Sequence, residues 1–444
     1  MKIRLVFLAS CISTFGSAQV RNESTRTARL DSIMNYVDSK YHFNGIVLIA
    51  QKDSILYERI IGNADNDNNI PFVRDSKFRL GSISKQFTAF IVLRLCEQGR
   101  VKMEDSISIY LSAFRNTDKQ GITIRQLLTH TSGLVDYTNL KRFNDMVAYS
   151  SDSLLAMVVK ARSHFQAGTN FQYCNSNYYI LAQIAEKVTG KRFGSLLKEL
   201  ILTPAGMTNS GEEPDDDPIA GLSKSYVRKG DNLEPGPPIE MKNTQGGGGM
   251  YSTSQDLLLW SLFLQHRLRE SAFLKESISP FLLPADRLSL YSCGWGLAPG
   301  IIFHTGHING FANLIAIDTI LKQTFIFLTN TDFHQLYVSL WAARQILAGD
   351  DGSMDWIRAT KSHPLEDYTG TYSVDGLQVE IKAEYPDLAG YVAGNKDLLK
   401  AYSKDEFFFN DREGLVRFKR DSTGKVISLN AFQDYEWVEM RKIR

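Results

Sequence analysis

Ser82 and Lys85 stand three residues apart in FRLGSISKQF, residues 78–87, where a short β-like run turns into an apolar helix. A serine hydroxyl attacks a carbonyl only weakly until a neighbouring base takes its proton. On a helix, positions i and i+3 share a face, so Ser82 and Lys85 can meet, whereas Ser84 points elsewhere and is left a supporting residue. A serine in the first helical turn also keeps a backbone N–H without an intrahelical acceptor, available to an oxyanion. Burial and the nearby helix start both disfavour a charge on Lys85, which suits a base.

The spacing alone is weak evidence, because Ser195 with Lys198 and Ser422 with Lys425 repeat it. The first repeat lies in an amphipathic helix with no strand leading into it, the second in a polar turn. Two motifs further along the chain set Ser82 apart. Tyr173 and Asn175, in FQYCNSNYYILAQIAEKVTG, sit on a turn directly before a helix. There a phenol can relay a proton to a leaving group and an amide can hold a substrate carbonyl. Tyr137-Thr138-Asn139 repeats that pattern in a predicted loop. His304, Thr305 and Gly306 close a predicted strand, GIIFHTG, where the glycine allows substrate to lie against the strand. The next N–H, of His307, can complete an oxyanion hole with that of Ser82. Either Lys85 or Tyr173 can serve as the general base.

Taken in order, SISK, YCN and HTG resemble the three motifs of the β-lactamase-related serine hydrolases: class C β-lactamases, penicillin-binding proteins, D-aminopeptidases and related esterases. IRQLLTHTSGL at 124–134, LTPAGMTNS at 202–210, GGGGMYSTSQDL at 246–257 and GHINGF at 306–311 fit the same family, so the resemblance spans about residues 27–350. It implies that Ser82 is the acyl-enzyme nucleophile, Lys85 its base or proton relay, Tyr173 the proton shuttle, Asn175 the amide holder and His304 the polar group of the third motif. Typical β-lactamases carry Lys-Thr-Gly there. A lysine is cationic near neutral pH and pairs a β-lactam carboxylate, whereas a histidine is only partly charged. Family members with His at this place include peptidases and amidases acting on D-amino-acid peptides. The expected substrate is therefore a D-amino-acid or cell-wall-type peptide or a small ester, with a β-lactam or DD-carboxypeptidase substrate as the alternative. A non-catalytic sensor or scaffold that keeps the cleft is the rival from another class.

These residues need a scaffold, and apolar periodicity supplies one. Residues 26–41 have helical spacing, and FNGIVLIAQKDSILYERIIG reads as a β-hairpin. SKQFTAFIVLRLCEQGR is apolar on nearly every turn and predicts a buried helix. Residues 100–290 are mostly helical in pattern, interrupted by a polar loop at 211–245 and by the glycine run 246–249. No Gly-Lys-Ser/Thr comes after that run, so it is a turn under the active site rather than a phosphate cradle. Asp215, Asp216 and Asp217 lack the other ligands of a calcium loop and predict a solvated loop. Strand-like runs return after residue 290, then the helix LYVSLWAARQIL. The expected fold class is α+β, with a central antiparallel sheet drawn from both ends of the region, flanking helices and a helical insertion. From Tyr368 onward, polar residues alternate with aromatic or β-branched ones, predicting a small all-β barrel, which resembles the lipocalin-like domain of many family members.

The expected domains are a leader at 1–18, a hydrolase domain at 19–352, a linker at 353–364 and the β module at 365–444. Lys2 and Arg4 precede an apolar run that ends in Gly16, Ser17 and Ala18, a signal peptide cut after Ala18 that directs the chain to the periplasm or outside the cell. A lipidated Cys11 is the second reading of the same segment. The 50 basic and 49 acidic residues give a net charge of +1 with no long run of either sign, which removes the electrostatic footprint of nucleic-acid binding. No later segment is apolar enough to predict a membrane span. Cys96, Cys174 and Cys293 form no disulfide framework, and no CxxC pair or histidine cluster calls for a metal or other cofactor. The expected partner is a small-molecule or peptide substrate, with the oligomeric state open.

Overall fold

The computed structural model describes residues 9–213, 218–230, 232–284, 287–298, 300–348, 364–374, 376–385, 387–392, 394–403, 405–409, 414–433 and 436–443. Asp215 to Asp217, residues 353–363 of the expected linker and the first eight residues of the leader lie outside these. Contacts divide the chain into two compact units. One comprises Asn44–Leu336 with Phe432–Val438, and the other Tyr337–Ala431 and Glu439–Arg444 together with the N-terminal helix Ala9–Tyr41.

The first unit is built on a seven-stranded antiparallel sheet. Its spatial order is Tyr291–Ser292, Trp295–Ala298, Ile301–Ile308, Phe311–Asp318, Gln323–Thr329, Gly45–Gln51 and Ser54–Ile61. The expected hairpin at 45–61 is present, and its first strand pairs with the strand of the sheet that comes last in the chain, Gln323–Thr329, from Gly45↔Thr329 to Gln51↔Gln323. The sheet thus closes between the two ends of the unit, as the apolar runs at 45–61 and 290–329 predict. Its middle strands are buried along nearly their whole length, which is why they read as continuous apolar runs rather than as alternating ones.

The intervening chain forms the helical block. Its centre is the helix Ser84–Glu97, of which only Arg94, Cys96 and Glu97 escape full burial. Trp260, on the helix Ser254–Glu270, stacks on Phe87 at 4.4 Å and meets Phe90 edge-on at 5.5 Å. The same helix packs on the strands Gly45–Gln51 and Gln323–Thr329, so the Ser84–Glu97 helix is fixed indirectly to the sheet. The stretch 211–245, expected as loop, carries a short hairpin pairing Tyr226–Lys229 with Asn232–Pro235. Val227 and Leu233 are half-buried in it, and these isolated apolar positions are too few to give a strand signal.

The second unit contains the N-terminal helix, which begins at Ala9 rather than at residue 26, and most of the helix Leu336–Leu347. It also contains most of a closed barrel of eight strands between Gly370 and Lys442. Alternation of buried and exposed residues, clear along Leu377–Glu384 and Leu415–Arg420, sends one set of side chains inward. Tyr368, Phe407 and Phe418 fill the inside with ring centroids 4.9–5.5 Å apart. No helix among the described residues is long and apolar enough to cross a membrane.

Candidate active site

Ser82 lies on a 3-10 turn, Gly81–Ile83, that runs directly into the Ser84–Glu97 helix. Two glycines bring this turn against the strand Ile301–Ile308. Gly81 has φ +54°, in the left-handed region, and a Cβ there would lie 2.8 Å from the His307 carbonyl oxygen. A Cβ on Gly306 would lie 1.9 Å from the Leu80 carbonyl oxygen, inside any tolerable contact. Gly306 thus has a packing role beside the one expected toward substrate: the group that occupies the place of its missing side chain is the backbone before Ser82. Trp295–Ala298 pairs with this strand only through residues 301–303, so beyond Phe303 the same edge is open to the serine turn. Ser84 accepts the Met250 N–H at 3.2 Å and holds the helix start to the strand Met250–Ser252.

Lys85 has no exposed surface. Its Nζ lies 3.0 Å from Ser82 Oγ, 2.7 Å from Asn175 Oδ1 and 2.8 Å from the Gly247 carbonyl oxygen. All three partners are neutral, so burial favours the amine and pulls the Lys85 pKa down to about 7, against the opposing pull of Asp136 and Cys174. A neutral amine has two N–H donors and one lone pair. The two carbonyl oxygens take the donors, which leaves the lone pair for the Ser82 hydroxyl proton. The glycine run expected as a turn under the site supplies one of those oxygens, and its Gly246 carbonyl also accepts from Thr88 Oγ1 at 2.6 Å.

Asn175 is the first residue of the helix Asn175–Thr189, and Tyr173 precedes it by two. The Tyr173 ring lies 4.9 Å from Lys85 Nζ and is enclosed by the rings of His130 at 4.4 Å, Tyr291 at 5.9 Å and His304 at 6.2 Å. His130 is fully buried, and its Nδ1 accepts from the Cys174 N–H and from Asn177 Nδ2, both at 3.1 Å, which puts its proton on Nε2. Burial, helped by the charge of Lys85, holds its pKa well below the usual imidazole range. His130, Asp136 and Tyr291 join the expected residues here without having been singled out by spacing. The only sequence signal for the first two was their place in or beside LLTHTSGL.

His304 is fully buried. Its Nδ1 bonds the Thr305 carbonyl oxygen, an acceptor, so Nδ1 carries the proton and Nε2 accepts the Tyr291 hydroxyl at 3.1 Å. Burial, then the charge of Lys85, lowers its pKa to about 3, so the ring is neutral at physiological pH. Thr305 is buried beside it, while the His307 side chain is exposed.

Ser82, Asn175, Gly247 and His307 line one cleft of about 440 Å³ with Tyr137 and Thr138 on its wall. The second Tyr-x-Asn run, expected in a loop, is thus a 3-10 turn beside the site, with the Tyr137 hydroxyl donating to the Asn243 carbonyl. Among the described residues lining the cleft there is no lysine or arginine, and Asp332 is the one carboxylate. The two repeats of the Ser-x-x-Lys spacing behave differently, since Ser195, Lys198, Ser422 and Lys425 are all exposed.

Known proteins resemble this chain at the level of family and fold. The family model described as Beta-lactamase matches residues 26–349. The chain is 28% identical over 425 residues to Penicillin-binding protein 4* of Bacillus subtilis, covering 87% of this chain and 92% of that one. It is 26% identical over 246 residues to the D-aminopeptidase of Brucella anthropi, covering 54% of this chain and 46% of that one. The solved structure of the octameric penicillin-binding protein homologue from Pyrococcus abyssi superposes with a TM-score of 0.66 at 18% identity, covering 93% of this chain and 99% of that one.

Proposed function

The chain belongs to the beta-lactamase family and is a serine hydrolase, and from that premise we propose that it is an exported amidase or peptidase for D-amino-acid-containing or cell-wall-type peptides, or an esterase. In this reading Ser82 Oγ attacks the substrate carbonyl as its proton passes to the Lys85 amine, with the Tyr173 hydroxyl carrying it on to the leaving nitrogen or oxygen. The N–H groups of Ser82 and His307 hold the oxyanion, Asn175 holds the substrate amide, and Thr305 and Gly306 border the acyl group beside His304. The C–N or C–O bond breaks to leave an acyl-Ser82 ester. Water then attacks that ester, gives its proton to the same base and releases the acid, with no cofactor consumed. A leader at 1–18 is removed on export, the hydrolase domain spans 19–352 and the C-terminal module 365–444.

The observation that carries this reading is the buried Lys85, joined at once to Ser82, Asn175 and Gly247 by neutral oxygens. The neutral His304 and a cleft lining without lysine or arginine among its described residues argue against a substrate anchored by a carboxylate. Turnover of a D-alanyl anilide, a short-chain nitrophenyl ester and a chromogenic cephalosporin separates the substrate classes. The anilide or the ester should exceed the cephalosporin in kcat/KM by about 100-fold or more, a difference of roughly 3 kcal/mol in transition-state binding. A cephalosporin turned over best would transfer the assignment to the β-lactamase reading, which the similarity to a penicillin-binding protein favours. A stable adduct with no product from any of the three would instead mark a sensor.

A further inference from the structure

The loop Asp136 to Thr138 is tied to the catalytic helix start by a carboxylate that touches neither Ser82 nor Lys85. Asp136 is 8% exposed. Its Oδ1 accepts the Thr138 N–H at 3.0 Å and the Thr138 hydroxyl at 2.7 Å, and its Oδ2 accepts the Asn175 N–H at 2.7 Å. Asn175 in turn offers Oδ1 to Lys85 Nζ at 2.7 Å. A second strap runs in parallel, with the Tyr137 N–H donating to Ser176 Oγ at 2.9 Å and that hydroxyl donating to the Val135 carbonyl at 2.7 Å. Position is therefore secured twice, whereas the negative charge has a single source.

We propose that Asp136 is a positioning residue that acts through Asn175 and, by its charge, sets the pH at which Lys85 becomes a free amine. This rests on the reading of Ser82 and Lys85 as nucleophile and base. The groups around Lys85 leave Asp136 the role of local anion. Its own turn contributes the Ser82 hydroxyl, the glycine run the Gly247 carbonyl, and the Asn175–Thr189 helix the Asn175 amide and the Tyr178 ring, 5.7 Å away. The preceding turn adds the Tyr173 phenol and the Cys174 thiol, whose pKa burial raises to about 12. His130, from the loop after the Ile124–Leu128 helix, and His304, from the Ile301–Ile308 strand, are both held neutral by burial. Against this neutral surround Asp136 favours the Lys85 ammonium. Removing its charge leaves burial less opposed, so the amine form persists to lower pH.

The test measures the rate of Ser82 modification by a fluorophosphonate from pH 5 to 10, in the full chain and in Asp136→Asn, with melting curves as the fold control. The Asn variant keeps the shape and an oxygen for the Asn175 N–H. Its acid limb should move to lower pH by about one unit, a tenfold change in Lys85 proton affinity. Asp136→Ser, smaller and uncharged, should move the limb the same way if the Asn variant folds poorly, and Asp136→Glu should restore the wild-type midpoint. A purely structural residue would lower the rate at every pH and leave the midpoint in place. A folded Asn or Ser variant whose limb coincides with wild type overturns the proposal alone. A wild-type protein with no labelling, or with no acid limb, overturns the reading of Ser82 and Lys85 and the proposal with it.

Discussion

A lysine with no exposed surface and three neutral oxygen partners is held near the point where amine and ammonium are equally populated at neutral pH. If the amine is the working base, kcat/KM should rise with pH through a midpoint near 7, and a rate that is flat from pH 5 to 9 would contradict the assignment. The same ionisation has a sign for stability. The folded pKa lies below the unfolded value of about 10.4, so between pH 7 and 10 the unfolded chain binds the extra proton and stability rises with pH. Chemical denaturation of wild type and Lys85→Met should therefore show the difference moving in favour of wild type by a few kcal/mol from pH 6 to pH 10. Constant separation would mean that Lys85 is not neutralised by folding. Ser82, Lys85, Tyr173 and Asn175 could be read from the sequence because each pair sits within three positions on one turn. The Gly247 carbonyl, Asp136 and His130 could not, since they meet their partners across 162, 39 and 44 positions. His304 was legible as a place in a motif, but its tautomer and neutrality depend on Tyr291 and on burial, which no local spacing encodes.

Elements position these residues through backbone contact more than through side chains. Gly306→Ala would force its Cβ into the Leu80 carbonyl and separate the serine turn from the strand edge. It should cost about 2–4 kcal/mol of stability and lower kcat/KM by about 100-fold or more. Gly121→Ala is the control, because an added Cβ there meets nothing within 4 Å and no left-handed φ is involved. Equal effects of the two substitutions on melting temperature and turnover would refute the role given to Gly306. The strands at 45–61 and 301–329 were visible as apolar runs of strand length, and the Ser84–Glu97 helix as an apolar segment too long for a strand. The hairpin at 226–235 was hidden because proline, glycine and charge dominate its composition. The reason for Gly306 was hidden as well, since a glycine that admits substrate and one that admits a neighbouring turn look alike in sequence.

For the whole molecule, every residue assigned to the chemistry lies within Asn44–Leu336, and the apolar core around the Ser84–Glu97 helix draws only on that segment. A chain ended after residue 352 should therefore remain reactive at Ser82, with altered substrate preference or assembly, and a well-folded truncated protein that no longer labels would contradict this. The barrel was legible from its alternation of aromatic and polar residues, whereas its closure depends on pairing between Gly370–Val374 and Glu436–Lys442, a contact that alternation does not specify. The proposed chemistry turns on one bond, the ester between Ser82 and an acyl or phosphonyl group. Intact-mass measurement of the full chain after fluorophosphonate treatment, with peptide mapping, should find a single adduct on Ser82 and none on Ser82→Ala. An adduct of equal yield on the variant, or one mapped to another residue, would contradict the assignment of Ser82 as the nucleophile.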